Sequence, residues 1–191
     1  VTNDSPPGAD ATPVPLTTGR LTLRPYRLED LKASLEYYAD PEVARFLLEE
    51  PWTPEDAEHK IAKRIARSGI DGPGSGVALV VEHEGAVVGD VALWTTGDTA
   101  SRGEVGWVFH PGHTGQGFAT EAVRALLGLA FDFYGMHRVV AQLDARNDRS
   151  ARLCERVGMR HEGHLRRDWW SKGEWTDTLV YGMLDEEWMT P

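Results

Sequence analysis

Gly112, Gly115 and Gly117 lie between an apolar run and an amphipathic one, and that arrangement can hold an anion. Val105, Gly106, Trp107, Val108 and Phe109 read as a strand. Ala119, Ala122, Val123, Leu126, Leu127, Ala130 and Phe131 recur at spacings of three and four, which makes one buried helical face. A glycine-rich turn that opens a helix leaves several backbone N–H groups without helical partners, at the positive end of the helix dipole. Phosphate or pyrophosphate is the group such a turn suits. A nucleoside-triphosphate loop would need Lys and Ser/Thr after its last glycine, but Phe118 and Ala119 follow Gly117. A dinucleotide fingerprint would need a third small residue where Thr120 stands and an acidic residue about 20 positions on, for which Asp144 is only a loose match. A plain strand–turn–helix link, with glycines supplying positive φ, remains an alternative.

The stretch from Glu104 to Ala122, EVGWVFHPGHTGQGFATEA, resembles the acyl-CoA loop of the GNAT superfamily of N-acetyltransferases. It is most similar to the RimJ/RimL-like branch, which acetylates the N-termini of ribosomal proteins. The family pattern Arg/Gln-x-x-Gly-x-Gly/Ala cradles the CoA pyrophosphate on backbone amides. Gly117 and Ala119 fill its small positions, and Thr114 stands where Arg or Gln is usual. The segments GRLTLRPYRLEDL, NDRSARLCERVGM and HEGHLRRDWWSKGEWTDTLVYGMLDEEW match as well, so the resemblance runs from about Leu16 to Trp188. It implies acetyl-CoA as cosubstrate. The implied cofactor contacts are Trp107, Val108, Phe109, Thr114, Gly115, Gln116, Gly117, Phe118, Ala119, Thr120, Asn147 and Ser150. It also implies a single α/β domain over residues 16–191: a mixed, mostly antiparallel sheet with helices on both faces. In that fold the fourth and fifth strands, 104–109 and 138–143, run parallel and splay, and pantetheine amides bond the backbone in the wedge.

Acetyl transfer from a thioester to an amine needs a neutral amine, a polarised carbonyl and a proton for the departing thiolate. Strand backbone at 107–109 is the candidate for the carbonyl. Ser150, which the resemblance turns toward the sulfur, is the candidate acid. Asn147, three residues earlier, also suits a helix N-cap. Cys154 stands where many family members carry a tyrosine acid; a thiol can donate, but a lone cysteine beside Leu153 and Val157 reads as core. Glu104 is the candidate base, with a solvated strand end as the alternative. Asp90, inside the apolar run Val87–Leu93, is a second carboxylate that needs a raised pKa or a cationic partner. The pairs His110/His113 and His161/His164 lack further ligands at metal spacing, and the second pair falls on a strand, where residues three apart face opposite ways. On the acceptor side the family fold assembles Phe46, Glu49, Glu50, Trp52, Asp168, Trp169, Trp170, Glu174 and Trp175. Aromatic walls with carboxylates suit a cationic amine, although the tryptophans can equally cap the core or form a dimer contact.

The elements that would position these groups follow from periodicity and punctuation. Residues 20–26 alternate as a strand. Helices begin at Leu28, near Pro41 and at Pro54, the last running to Arg67. Strands 77–82 and 86–94 form a hairpin around Glu84 and Gly85. The strand at 104–109, helix 117–134, strand 137–143, helix 148–157 ended by Gly158, and strands 159–168 and 175–184 complete the order. GIDGPGSG at 69–76 reads as a loop, and residues 1–15, with Pro6, Pro7, Pro13 and Pro15, as a disordered tail.

At 191 residues the chain has room for one good core. It has no apolar run of membrane-spanning length, no signal-like start and one cysteine, which suggests a cytoplasmic protein without a membrane partner. A formal net charge of −10 argues against nucleic acid and suits a cationic acceptor. The expectation is an acetyl-CoA-dependent N-acetyltransferase, monomer or homodimer, working by direct ternary-complex transfer to an amine. A protein or peptide α-amine is favoured; a small-molecule amine, such as a polyamine or aminoglycoside, is the alternative. A catalytically silent acyl-CoA-binding sensor is the alternative from another class.

Overall fold

The computed structural model describes residues 11–70, 75–97 and 99–189. Its strands are β1 (Leu16–Thr17), β2 (Thr22–Pro25), β3 (Ser68–Gly69), β4 (Gly76–His83), β5 (Ala86–Thr95), β6 (Arg102–Phe109), β7 (Arg138–Asp144), β8 (Arg160–Ser171) and β9 (Glu174–Leu184). Its helices are α1 (Leu31–Tyr38), α2 (Pro41–Ala44), α3 (Pro54–Ile65), α4 (Phe118–Gly128), α5 (Asp148–Val157) and α6 (Asp185–Trp188). All the strands join one sheet in the order β1-β2-β4-β5-β6-β7-β9-β8, with β3 on β4 beside β2.

Local chemistry explains the boundaries. Thr53 caps α3 by accepting from the Asp56 N–H, and Pro54 takes the first turn. Glu84 and Gly85 both have positive φ, as do Lys172 and Gly173, so both hairpins turn with the hand that matches strand twist. Gly158 closes α5 in the left-handed region. Arg24 clamps the buried Asp30 through two hydrogen bonds of 2.8 and 2.7 Å and reaches Glu82 as well, which ties β2 to the turn before α1.

Four elements differ from their expected extents. The expected first strand is the shorter β2, and β1 is an addition before it, paired antiparallel with β2 across a turn in which the Thr18 hydroxyl and backbone bond the Leu21 carbonyl. The short β3 is an addition from the segment after α3, so the splayed pair becomes β6 and β7. The hairpin strands β8 and β9 extend to the Lys172 turn. The helix expected over 117–134 is α-helical to Gly128 and then widens into one π turn at Leu129–Phe133. Of the expected tail, residues 1–10 lie outside the described residues. Thr12 bonds the Ser68 carbonyl and the Tyr134 hydroxyl, and Val14 packs on the core. Residues 71–74 of the expected loop also lie outside the described residues.

Two apolar layers sandwich the sheet. Val77, Leu79, Val91, Leu93, Val105 and Val139 pack on α4 and α5. Ala78 and Val80, from the other face of β4, pack with Tyr37, Tyr38, Trp52, Ala57 and Ile61 of the α1–α3 layer. The ladder between β6 and β7 is parallel and covers only Arg102/Arg138, Gly103/Val139 and Glu104/Val140. Beyond Glu104, β6 stays with β5 as far as Phe109, while β7 stays with β9 as far as Asp144. The sheet therefore opens from Glu104 onward.

Candidate active site

The glycine turn is shaped by its own side chains. His110 Nδ1 accepts from the Gly112 N–H at 3.0 Å, and the Thr114 hydroxyl donates to the Pro111 carbonyl at 3.0 Å. Gly115 and Gly117 have φ of +79° and +81°, and Gly117 is the N-cap of α4. A β-carbon at Gly117 would stand 3.4 Å from Arg20 Nη2 and hold a strained backbone angle. Arg20 donates to the Gln116 carbonyl at 2.9 Å and to Glu121 at 2.8 Å, and its guanidinium lies 4.9 Å from the centre of the Phe118 ring. Phe118 itself is buried, so its side chain anchors the helix and its N–H joins the open first turn. The Thr120 hydroxyl accepts from Arg156 at 3.3 Å, which brings a second guanidinium beside that turn. Thr114 thus serves the fold of the loop through its hydroxyl, and the nearby positive charge comes from Arg20 and Arg156.

A cleft of about 600 Å³ runs through the opening between β6 and β7. Glu104, Gly106, Trp107 and Val108 line it from β6, Gln142, Leu143 and Asp144 from β7, and Asn147 and Ser150 from α5. Phe109 is outside this lining and packs on the α4 layer. Asn147 Oδ1 accepts from the Ser150 N–H at 3.1 Å, so it is the N-cap of α5. Ser150 Oγ accepts from Trp107 Nε1 at 3.2 Å. Cys154, one turn further on, is fully buried; burial pushes its thiol up to about 12, and it does not line the cleft.

Glu104 enters from the other face of β6, opposite Trp94 of β5. Burial pushes its pKa above the ordinary carboxylate value, against hydrogen bonds from Gln142, at 3.2 Å, and from Trp94. Both partners are neutral donors, and among the described residues the carboxylate has no ion pair. A β-carbon on Gly106 would meet the Trp94 ring at 3.1 Å; the glycine lets the indole lie across β6. Asp90 lies deeper and is buried. It accepts from Tyr37 at 2.8 Å and Tyr38 at 3.0 Å, and Arg64 bonds the Tyr38 oxygen at 2.6 Å. Burial raises its pKa, opposed mainly by Arg64 and then by the tyrosines. Asp90 therefore has both a raised pKa and a cationic neighbour, Arg64, with Tyr38 between them and bonded to each.

Of the expected acceptor residues, Phe46, Glu49, Asp168 and Trp169 line the cleft. Trp52 is core, stacked on Tyr38 at 4.1 Å. Trp170 and Trp175 pack edge to face, both more than half exposed and outside the lining. Glu174 pairs with Arg146, and Glu49 with Lys60. Lys172 at the tip of the β8–β9 hairpin bonds the Leu47 carbonyl and closes that end of the wall. Sequence reasoning missed Trp94, Gln142, Arg64 and the indole of Trp107. Their signal is register, which places Trp94 opposite Glu104 across β5 and β6.

A family model described as an acetyltransferase (GNAT) domain matches residues 20–160. The uncharacterized N-acetyltransferase YnaD of Bacillus subtilis is 30% identical over 173 residues, 91% of this chain and 98% of that protein. Two solved structures share the fold. The spermidine N-acetyltransferase of Vibrio cholerae, in complex with CoA and spermine, has a TM-score of 0.77 at 23% identity and covers 91% of this chain and 100% of its own. RimJ of Mycobacterium smegmatis, in complex with CoA-disulfide, has a TM-score of 0.77 at 23% identity and covers 89% and 84%.

Proposed function

This chain belongs to the GNAT acetyltransferases and is an acetyl-CoA-dependent N-acetyltransferase, and from that premise we propose direct transfer to an amine between Glu104 and Ser150. The amine nitrogen attacks the thioester carbonyl carbon; the new C–N bond forms and the C–S bond breaks. Glu104 takes the proton that the amine loses. Ser150 donates its hydroxyl hydrogen bond to the sulfur as thiolate charge develops, and solvent protonates the released CoA thiol. The single observation behind this reading is that Glu104 and Ser150 line one cleft from opposite faces of the sheet, on either side of the gap between β6 and β7. Attack and departure need that separation, because the entering amine and the leaving thiolate stand on different sides of the carbonyl carbon. A raised pKa suits a base that works near neutrality. Backbone N–H groups at 115–120 and the Asn147–Ser150 turn would hold CoA.

The favoured acceptor is a protein or peptide α-amine, supported by the RimJ/RimL-like segments and by the fold shared with RimJ. A polyamine is the second reading, and Asp168 favours it. This carboxylate lines the cleft with no ion pair among the described residues, and together with Glu104 it offers two negative groups to an extended dication. The measurement is thiol release from acetyl-CoA with N-terminal peptides and with spermidine. A kcat/KM at least about tenfold higher for peptides supports the α-amine, since that ratio reports differential transition-state binding. The opposite ratio assigns the cleft to polyamines, and thiol release that no amine raises overturns the transfer.

A further inference from the structure

We infer that Trp107 is a positioning residue that aims the Ser150 hydroxyl at the leaving sulfur, an inference that rests on the acetyl-transfer reading of this site. An indole N–H donates and cannot accept, so in the 3.2 Å contact Ser150 Oγ is the acceptor. The Ser150 backbone N–H is committed to Asn147. The hydroxyl makes no other hydrogen bond among the described residues, so its proton is left for the cleft, which both side chains line. Accepting one hydrogen bond also polarises the O–H and strengthens it as a donor. Trp107 is itself fixed: it pairs with Val91 in the β5–β6 ladder and packs against the α4–α5 core. The bond joins β6 to α5 across the opening, so it sets the serine relative to the strand that would hold the thioester.

A tryptophan that only walled the pantetheine would act on cofactor binding instead, and kinetics on Trp107→Phe, Ser150→Ala and the double variant separate the two roles. Trp107→Phe lowers kcat about tenfold, the upper range for one neutral hydrogen bond, and leaves the KM for acetyl-CoA within about twofold. In the Ser150→Ala background the same substitution has no further effect, because the group it aims is gone. Equal losses in both backgrounds, or a change confined to KM, overturn the positioning role. A second measurement requires no substitution of the tryptophan. In ¹⁵N-indole spectra of the seven tryptophans, Ser150→Ala moves one N–H resonance of the folded protein, and seven unmoved resonances overturn the proposal. The two readings fail separately. If Ser150→Ala keeps wild-type kcat, Ser150 is not the donor to sulfur; if it slows turnover while Trp107→Phe does not, only the positioning role falls.

Discussion

The proposed donor and acceptor halves of the site are built in different ways. The donor half comes from two short stretches, 105–120 and 147–150, and works largely through backbone: the left-handed glycines, the first turn of α4 and the capped start of α5. The acceptor half is side chains drawn from α1 to β9, with Tyr38, Arg64, Asp90, Trp94, Glu104 and Trp169 meeting only in the fold. A cosubstrate of fixed structure can be held by main-chain geometry that a few local residues specify. An acceptor that differs between enzymes needs exchangeable side chains, and register delivers those.

If the division is real, substitutions on the two sides should separate cleanly. The largest effect is expected at Gly117→Val. A β-branched residue in the left-handed region costs about 1–3 kcal/mol, and the loop leaves its conformation to avoid that strain. CoA affinity measured by calorimetry then drops about ten- to a hundredfold, while the folded variant keeps its far-UV spectrum; unchanged affinity would falsify the cradle. Next comes Ser150→Ala, which lowers kcat about ten- to a hundredfold, the range for a hydrogen bond to a group that becomes charged, with little change in the KM for acetyl-CoA. Glu104→Gln tests the other side. Its wild-type carboxyl has a raised pKa, so it loses its proton and becomes available as a base as pH climbs through that value, while most amines remain protonated. The variant loses about tenfold in kcat below neutrality, and the gap closes in alkaline solution where free amine is abundant. A pH–rate profile parallel to wild type would remove Glu104 as the base. The smallest effect is expected at Cys154→Ala. Turnover changes less than about twofold, and thermal unfolding reports a loss of about 1 kcal/mol for the trimmed core side chain. A crippled Cys154→Ala beside an active Ser150→Ala would move the hydrogen-bond donor to the sulfur along the helix.

The same division governs what the sequence disclosed. The glycine turn, the Asn147 cap, the hairpin at Glu84–Gly85 and the stop at Gly158 are local signals, and each lies where its residues indicated. Asp90 was legible as an oddity, since an acid in an apolar strand demands partners. Its partners, Tyr37 and Tyr38, sit more than fifty residues away and carry no mark of that role. Trp52 and Trp169 look alike as letters, yet one is core and the other cleft wall. The Trp94–Glu104 pairing depends on strand register across β5 and β6, which alternation alone does not set.

The three-pair ladder between β6 and β7 has a consequence for solubility. Past Glu104 the molecule carries a strand border with unpaired amides at the middle of its sheet. Such borders ordinarily invite another chain to add a strand and begin aggregation. Here α4 and α5 cover one face, and the opposing strand diverges at an angle that leaves a wedge rather than a strand-wide slot. On the proposed reading that border is where the pantetheine amides bond, which would leave it capped when CoA is held.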